Sequence, residues 1–231
     1  MKEELINLND IQENQIRNSH WNFFGCYMQQ TPNAVLSINK LLNAYYFDNI
    51  IEFGTHDAGL SSMLSLYSYL SKNKATSPNP QEPSLHKNNR ISKIPCNFWT
   101  YDNVIRDQTQ TKFIESLGAN VNIVDILNDK DVIEKIRNLI SSSERCLVLC
   151  DNGDKIKEFK LYANYLPKGS FILVHDYAYD EKAFEDIQNK KIWYCLESDN
   201  ERLSKYMSEY NIKQVYRETF DNSVWFCGIK Q

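Results

Sequence analysis

Two short segments of this chain carry side chains that could do chemistry together: Cys150-Asp151-Asn152-Gly153-Asp154-Lys155 and Val174-His175-Asp176-Tyr177. Each follows an apolar run, Cys146 to Cys150 and Ser170 to Val174, that reads as a strand buried on both faces. If the two strands are parallel neighbours, about 4.8 Å apart, the Asp151 and Asp176 carboxylates reach one cation. Carboxylates that close repel, and a divalent ion removes the repulsion. Oxygen donors favour Mg²⁺, whereas His175 as a ligand tilts the choice towards Mn²⁺, and Asn152 is a further donor. Lys155 is a candidate base if desolvation lowers its pKa; His175 and His20 lie near neutrality without help. A purely structural alternative has Asp151 capping the next helix and His175 packing on the sheet.

A third segment, Asn49 to Leu64, runs from an apolar strand through a glycine turn into a helix. Gly54 permits a turn that a side chain would block, and Gly59 lets the helix pack close to the strand with its first amides facing a ligand. Glu52 disfavours a phosphate there. A P-loop would need lysine where Leu60 stands, and the dinucleotide pattern G-x-G-x-x-G loses its middle glycine to His56. Other strand ends are acidic too: Asp102-Asn103 and Asp125-Ile126. Asp102 could accept both hydroxyls of a ribose, and Asp125-Ile126 could give an adenine one polar contact and one apolar wall. Any one of these acids alone could instead be a helix cap.

Bringing them together requires alternating strands and helices. Residues 2 to 20 read as a polar helical lead-in, Asn33 to Tyr45 as an amphipathic helix, Asp48 to Phe53 as the first strand and Gly59 to Leu70 as a helix. Strands follow at Asn97 to Asp102, Val121 to Ile126, Cys146 to Cys150 and Ser170 to Val174, with helices at Asp131 to Ile140 and Lys155 to Leu166. Such repeats imply a parallel sheet with helices on both faces. Trp193 to Glu197, Gln214 to Thr219 and Val224 to Ile229 finish the sheet, the last two as an antiparallel hairpin through Asp221-Asn222. The expectation is a seven-stranded Rossmann-like α/β sheet. Residues 1–46 form the lead-in and cover, with Trp21, Phe23, Phe24 and Tyr27 over a ligand or packed on the sheet; residues 47–231 form the sheet domain. Pro78, Pro80, Pro83 and Pro95 mark a mobile insertion at about 72–95.

Composition sets the bounds. A chain of 231 residues with 42% hydrophobic content can bury one large core. The net charge of −4, without a Lys/Arg run, argues against nucleic acid. No apolar run approaches the roughly 18 residues of a membrane span. Met1-Lys2-Glu3-Glu4 is too polar for a signal peptide, so a cytoplasmic location is expected. Cys146 and Cys150 would lie roughly 13 Å apart on one strand, too far to bridge. With no zinc spacing present, the cysteines read as buried thiols in a reducing compartment.

Glu52-x-Gly54-Thr55 with Gly59 resembles motif I of the class I S-adenosylmethionine (SAM) methyltransferases. Together with Trp21 to Pro32, Cys150 to Lys155 and Pro167 to Tyr177, it resembles the cephalosporin hydroxylase-type family over roughly residues 20 to 180. Members are SAM-dependent, often metal-dependent O-methyltransferases related in architecture to catechol O-methyltransferase. The Asp-x-Gly-x-Lys and His-Asp-Tyr variant is similar to methyltransferases encoded with bacterial capsule or surface-polysaccharide genes. The resemblance implies that Glu52, Gly54, Asp102 and Asp125 hold SAM, with Thr55, Asn103 and Ile126 beside them, and that Asp151 and Asp176 hold the metal. His175 stands where relatives carry glutamate, leaving His175, Asn152 or Asp154 as the third ligand. Lys155 lies one residue farther from Asp151 than the catalytic lysine of catechol-type enzymes. The implied acceptor is a small molecule: a sugar hydroxyl, a phosphate or phosphoramidate oxygen, a polyol or a phenol. An NAD(P)- or nucleotide-sugar-binding oxidoreductase and a non-catalytic SAM-fold subunit are the alternatives, and homo-oligomerisation stays open.

Overall fold

Buried apolar runs build the sheet of the protein, seen here in a computed structural model that describes residues 21–23, 25–75, 95–190 and 192–231. The lead-in over 2–20, His20, Phe24 and all but the ends of the insertion at about 72–95 lie outside the described residues. The first described elements are a two-stranded antiparallel ribbon, β1 (Trp21–Phe23) and β2 (Cys26–Met28). Gly25, at φ +81°, turns the chain between the two strands. Helix α1 (Pro32–Ala44) follows, with Pro32 in its first turn and the Thr31 hydroxyl accepting from the Ala34 amide at 3.1 Å.

From there strands and helices alternate: β3 (Asn49–Phe53), α2 (Gly59–Ala75), β4 (Asn97–Asp102), α3 (Gln108–Ser116), β5 (Asn120–Ile123), α4 (Lys130–Ser141), β6 (Cys146–Cys150), α5 (Lys155–Tyr162) and β7 (Phe171–Val174). A short strand β8 (Tyr177–Ala178), α6 (Glu181–Asn189), β9 (Ser198–Asp199), α7 (Asn200–Glu209), β10 (Ile212–Gln214), α8 (Arg217–Phe220) and β11 (Phe226–Lys230) complete the chain. The seven-stranded sheet has the order β10-β11-β7-β6-β3-β4-β5. Strands β3 to β7 are parallel, and β11 is antiparallel to both β7 and β10.

Alternation along the strands fills both faces. Ile51, Phe53, Val148, Cys150, Ile172 and Val174 pack under Ile133, Ile136 and Ile140 of α4 and Phe159 and Tyr162 of α5. Ile50, Leu147, Leu149, Phe171 and Leu173 face Ile38, Leu41 and Leu42 of α1 and Leu60 and Leu64 of α2.

Two sequence expectations change at the C-terminal side. The place beside β7 is taken by β11, and Trp193 to Glu197 is not a sheet strand. It leads into β9, which pairs with β8 in a separate two-stranded sheet. The antiparallel closing pair exists, but α8 and a 3-10 turn at Asp221–Ser223 stand between its strands, so it is not a tight hairpin. All six cysteines are free thiols, and only Cys195 is not buried. Among the described residues no helix is long and apolar enough to cross a membrane.

Candidate active site

Register brings the candidate residues to one level. Phe53 pairs with Tyr101 of β4 and with Cys150 of β6, and Cys150 pairs with Val174 of β7. The next residues, Asp102, Gly54, Asp151 and His175, therefore leave the sheet side by side at its carboxyl edge, where α/β sheets bind ligands. There they line a cavity of about 530 Å³ together with Thr55, Asn103, Asn152, Lys155 and Asp176. That volume lies in the usual range for small-molecule sites.

The floor is built for backbone approach. Gly54 has φ +97°, and a Cβ on it would lie 2.2 Å from the Asp151 carbonyl oxygen. The close neighbour of Gly59 is not β3 but the ribbon: a Cβ there would meet the Tyr27 carbonyl at 2.3 Å. His56, standing where a dinucleotide loop has glycine, adopts φ +47° and donates its backbone N–H to Asp102 Oδ2 at 2.9 Å. Asp102 Oδ1 accepts from the Asn103 and Val104 amides at 2.7 and 3.2 Å, which aims the carboxylate at the cavity.

Glu52 is elsewhere. It lies beneath the floor, 1% exposed, and its Oε2 accepts from Ser61 Oγ at 2.5 Å and Thr100 Oγ1 at 2.7 Å. Thr100 Oγ1 also meets Thr55 Oγ1 at 2.6 Å. Burial lifts the Glu52 carboxyl from an ordinary 4.5 to about 8, against the two hydroxyl bonds and with help from Asp151 and Asp102. A carboxyl raised in the folded state keeps its proton there while the unfolded chain loses it. Stability is full below the unfolded value and falls as pH rises from about 4.5 towards 8. Glu52→Gln is expected to remove this term, so its melting temperature should gain on the wild type between pH 6 and 9. Parallel melting curves for the two proteins would refute the assignment.

Asp125 and Ile126 do not reach the cavity. Strand β5 ends at Ile123, and Asp125 closes its own turn: Oδ1 accepts from the Leu127 and Asn128 amides, and Oδ2 from Asn128 Nδ2. Those bonds, the Asn128 side chain first, pull its carboxyl below the usual range. Ile126 is buried in the core, and its carbonyl accepts from Tyr162 Oη at 2.5 Å.

At the other end of the cavity Asp151, His175 and Asp176 form one cluster. His175 Nδ1 lies 2.7 Å from Asp151 Oδ1 and 3.6 Å from Asp176 Oδ1. The imidazole packs edge-on against Trp193 and at a 33° tilt against Trp225, with ring centroids 4.9 and 4.6 Å away, and among the described residues its buried Nε2 has no hydrogen-bond partner. Burial pulls its pKa down, but Asp151 and Asp176 more than reverse this and hold the ring above its usual range. Lys155 Nζ bonds Asp176 Oδ2 at 2.8 Å and Glu197 Oε2 at 2.7 Å. Burial would lower that ammonium too, yet Asp176, Asp151 and the bonds to Asp176 and Glu197 raise it well above the ordinary lysine range.

Several residues of the site are not legible as chemistry in the sequence. Gln30 donates Nε2 to Asp151 Oδ2 at 2.7 Å and accepts at Oε1 from Trp225 Nε1 at 2.9 Å. Trp193 donates Nε1 to Asp176 Oδ1 at 2.6 Å, and the Glu197 amide donates to the Asp176 carbonyl at 3.0 Å. Tyr27, His56, Arg106, Tyr194 and Cys195 also line the cavity. Of these, only Tyr27 carries a sequence signal, as part of the aromatic cover.

No family model matches the chain, and no curated protein is similar to it. Solved structures are. CmcI bound to Mg and SAM has a TM-score of 0.53 at 10% identity over 90% of this chain and 76% of its own. Apo CmcI gives 0.53 at 11% identity, over 91% and 76%, and CmcI with SAH gives 0.50 at 10%, over 90% and 83%. None of them bears on capsule or surface polysaccharide. With its antiparallel closing strands and helices on both faces of the sheet, the chain has the Rossmann-like fold of the class I SAM methyltransferases.

Proposed function

We propose that the protein is a SAM-dependent O-methyltransferase acting on a small hydroxyl-bearing acceptor, with Mg²⁺ or Mn²⁺ at Asp151, His175 and Asp176. The observation that carries this reading is the convergence of Gly54, Asp102, Asp151 and His175-Asp176 on one cavity at one level of the sheet. The floor at Gly54, too close to backbone for any side chain, and the Asp102 carboxylate beside it suit a nucleoside with free hydroxyls. The ligand atoms of Asp151, His175 and Asp176 all lie within 4.8 Å of one another, and a mixed oxygen and nitrogen set suits such an ion.

When bound, SAM supplies an electrophilic methyl group and the ion lowers the pKa of the acceptor hydroxyl. The chain supplies position and charge. Asp102 orients the ribose through its preset carboxylate, while Trp193, Tyr194 and Tyr27 narrow the cavity against water. Lys155, held as an ammonium, balances charge and does not abstract the proton. A sugar or polyol hydroxyl is the acceptor class we favour, Tyr194 being an exposed aromatic face stacked on Trp193 at the cavity edge.

Calorimetry with S-adenosylhomocysteine tests the reading. The wild type should bind it and Asp102→Asn should bind it more weakly by about 1–3 kcal/mol, the worth of hydrogen bonds to a charged group. Tight NAD binding with none for SAM or S-adenosylhomocysteine would overturn it.

A further inference from the structure

Asp176 is claimed twice. It belongs to the cluster read above as a divalent site, yet its Oδ2 already holds the Lys155 ammonium at 2.8 Å, deep in the cavity wall where the lysine side chain is 8% exposed. The other carboxylate oxygens of the pair are taken by Trp193, His175 and Gln30. Trp193 and Gln30 are neutral and can coexist with a nearby ion. Lys155 cannot share an oxygen with one, because two cations on the same carboxylate repel in a site largely shielded from water. It has somewhere to go: Glu197 Oε2 lies 2.7 Å from the same nitrogen. The backbone around Glu197 is tied to the cluster, its N–H donating to the Asp176 carbonyl and the Ser198 hydroxyl to the His175 carbonyl.

We propose that Lys155 is a built-in competitor of the divalent ion, whose ammonium neutralises Asp176 in the metal-free protein and passes to Glu197 alone when an ion binds. The inference rests on the reading of Asp151, His175 and Asp176 as the metal site. It makes metal affinity a property of the Lys155–Glu197 pair as well as of the ligands, and it separates Lys155 from any role as a base.

The test is Mn²⁺ binding alone, measured by electron paramagnetic resonance and calorimetry on the full chain without SAM. Lys155→Met should bind Mn²⁺ at least tenfold more tightly than the wild type and gain more in melting temperature on its addition. Lys155→Arg, which keeps the charge, should not. Glu197→Gln should bind several-fold more weakly, since the ammonium then has only Asp176. The double variant should return to the Lys155→Met level, because Glu197 acts through the lysine. Lys155→Met binding no more tightly than the wild type would overturn the proposal; should that variant fail to fold, unchanged or tighter binding by Glu197→Gln would do so. If no variant binds Mn²⁺ while S-adenosylhomocysteine still binds, the metal reading falls with the inference and the cofactor reading stands.

Discussion

Gly54→Ala should lose SAM binding altogether and destabilise the protein by about 3 kcal/mol or more, the sum of a left-handed backbone forced on alanine and a clash in a packed interior. The clash is with backbone, the Asp151 carbonyl at 2.2 Å, so no side-chain rotation relieves it. Either β3 or β6 must shift, and that shift moves Asp151 relative to Gly54. One substitution thus disturbs both halves of the cavity. Urea denaturation and calorimetry with S-adenosylhomocysteine measure the two effects; a variant with wild-type stability and affinity would show that the turn is not built as described.

Asp176→Asn should leave fold and SAM binding in place and lower methyl transfer by roughly 10²-fold or more, the scale for removing a group that stabilises charge developing in the transition state. The substitution is gentle on the backbone. Asp176 sits at φ +53°, a region asparagine tolerates, and an amide oxygen can still accept from Trp193 Nε1. What disappears is one negative charge from the cluster. Turnover of a hydroxyl acceptor with and without added Mg²⁺ or Mn²⁺ reads the effect, and full activity in Asp176→Asn would remove that carboxylate from the reaction.

The sheet was legible because its strands are short, continuous apolar runs closed by acidic or glycine residues, and the positions of β3, β4, β6 and β7 follow from that pattern. Strand ends were harder. Val121 to Ile126 reads as one run, but Asp125-x-x-Asn128 closes its own turn, so two expected cofactor contacts fall outside the cavity. Helices α3, α6 and α7 carry the right signal, aspartate caps at Asp107, Asp180 and Asp199, in stretches whose weak apolar content masks it. Trp193 to Glu197 looks like a strand since a tryptophan in an apolar segment suits a sheet. Its indole is spent instead on Asp176 and on the His175 ring. Gln30 illustrates the remaining gap: a lone glutamine gives no hint of a partner 121 positions away.

The two indoles packed against His175 make the cluster optically addressable. Of the four tryptophans in the chain, Trp193 and Trp225 lie with their rings against this imidazole, and each also donates its indole N–H within the network that holds Asp151 and Asp176. A protonated imidazole packed against an indole quenches its emission. The protein therefore carries two of its own fluorophores beside the candidate site, so that a change of charge or occupancy there would be readable in native light emission without a label.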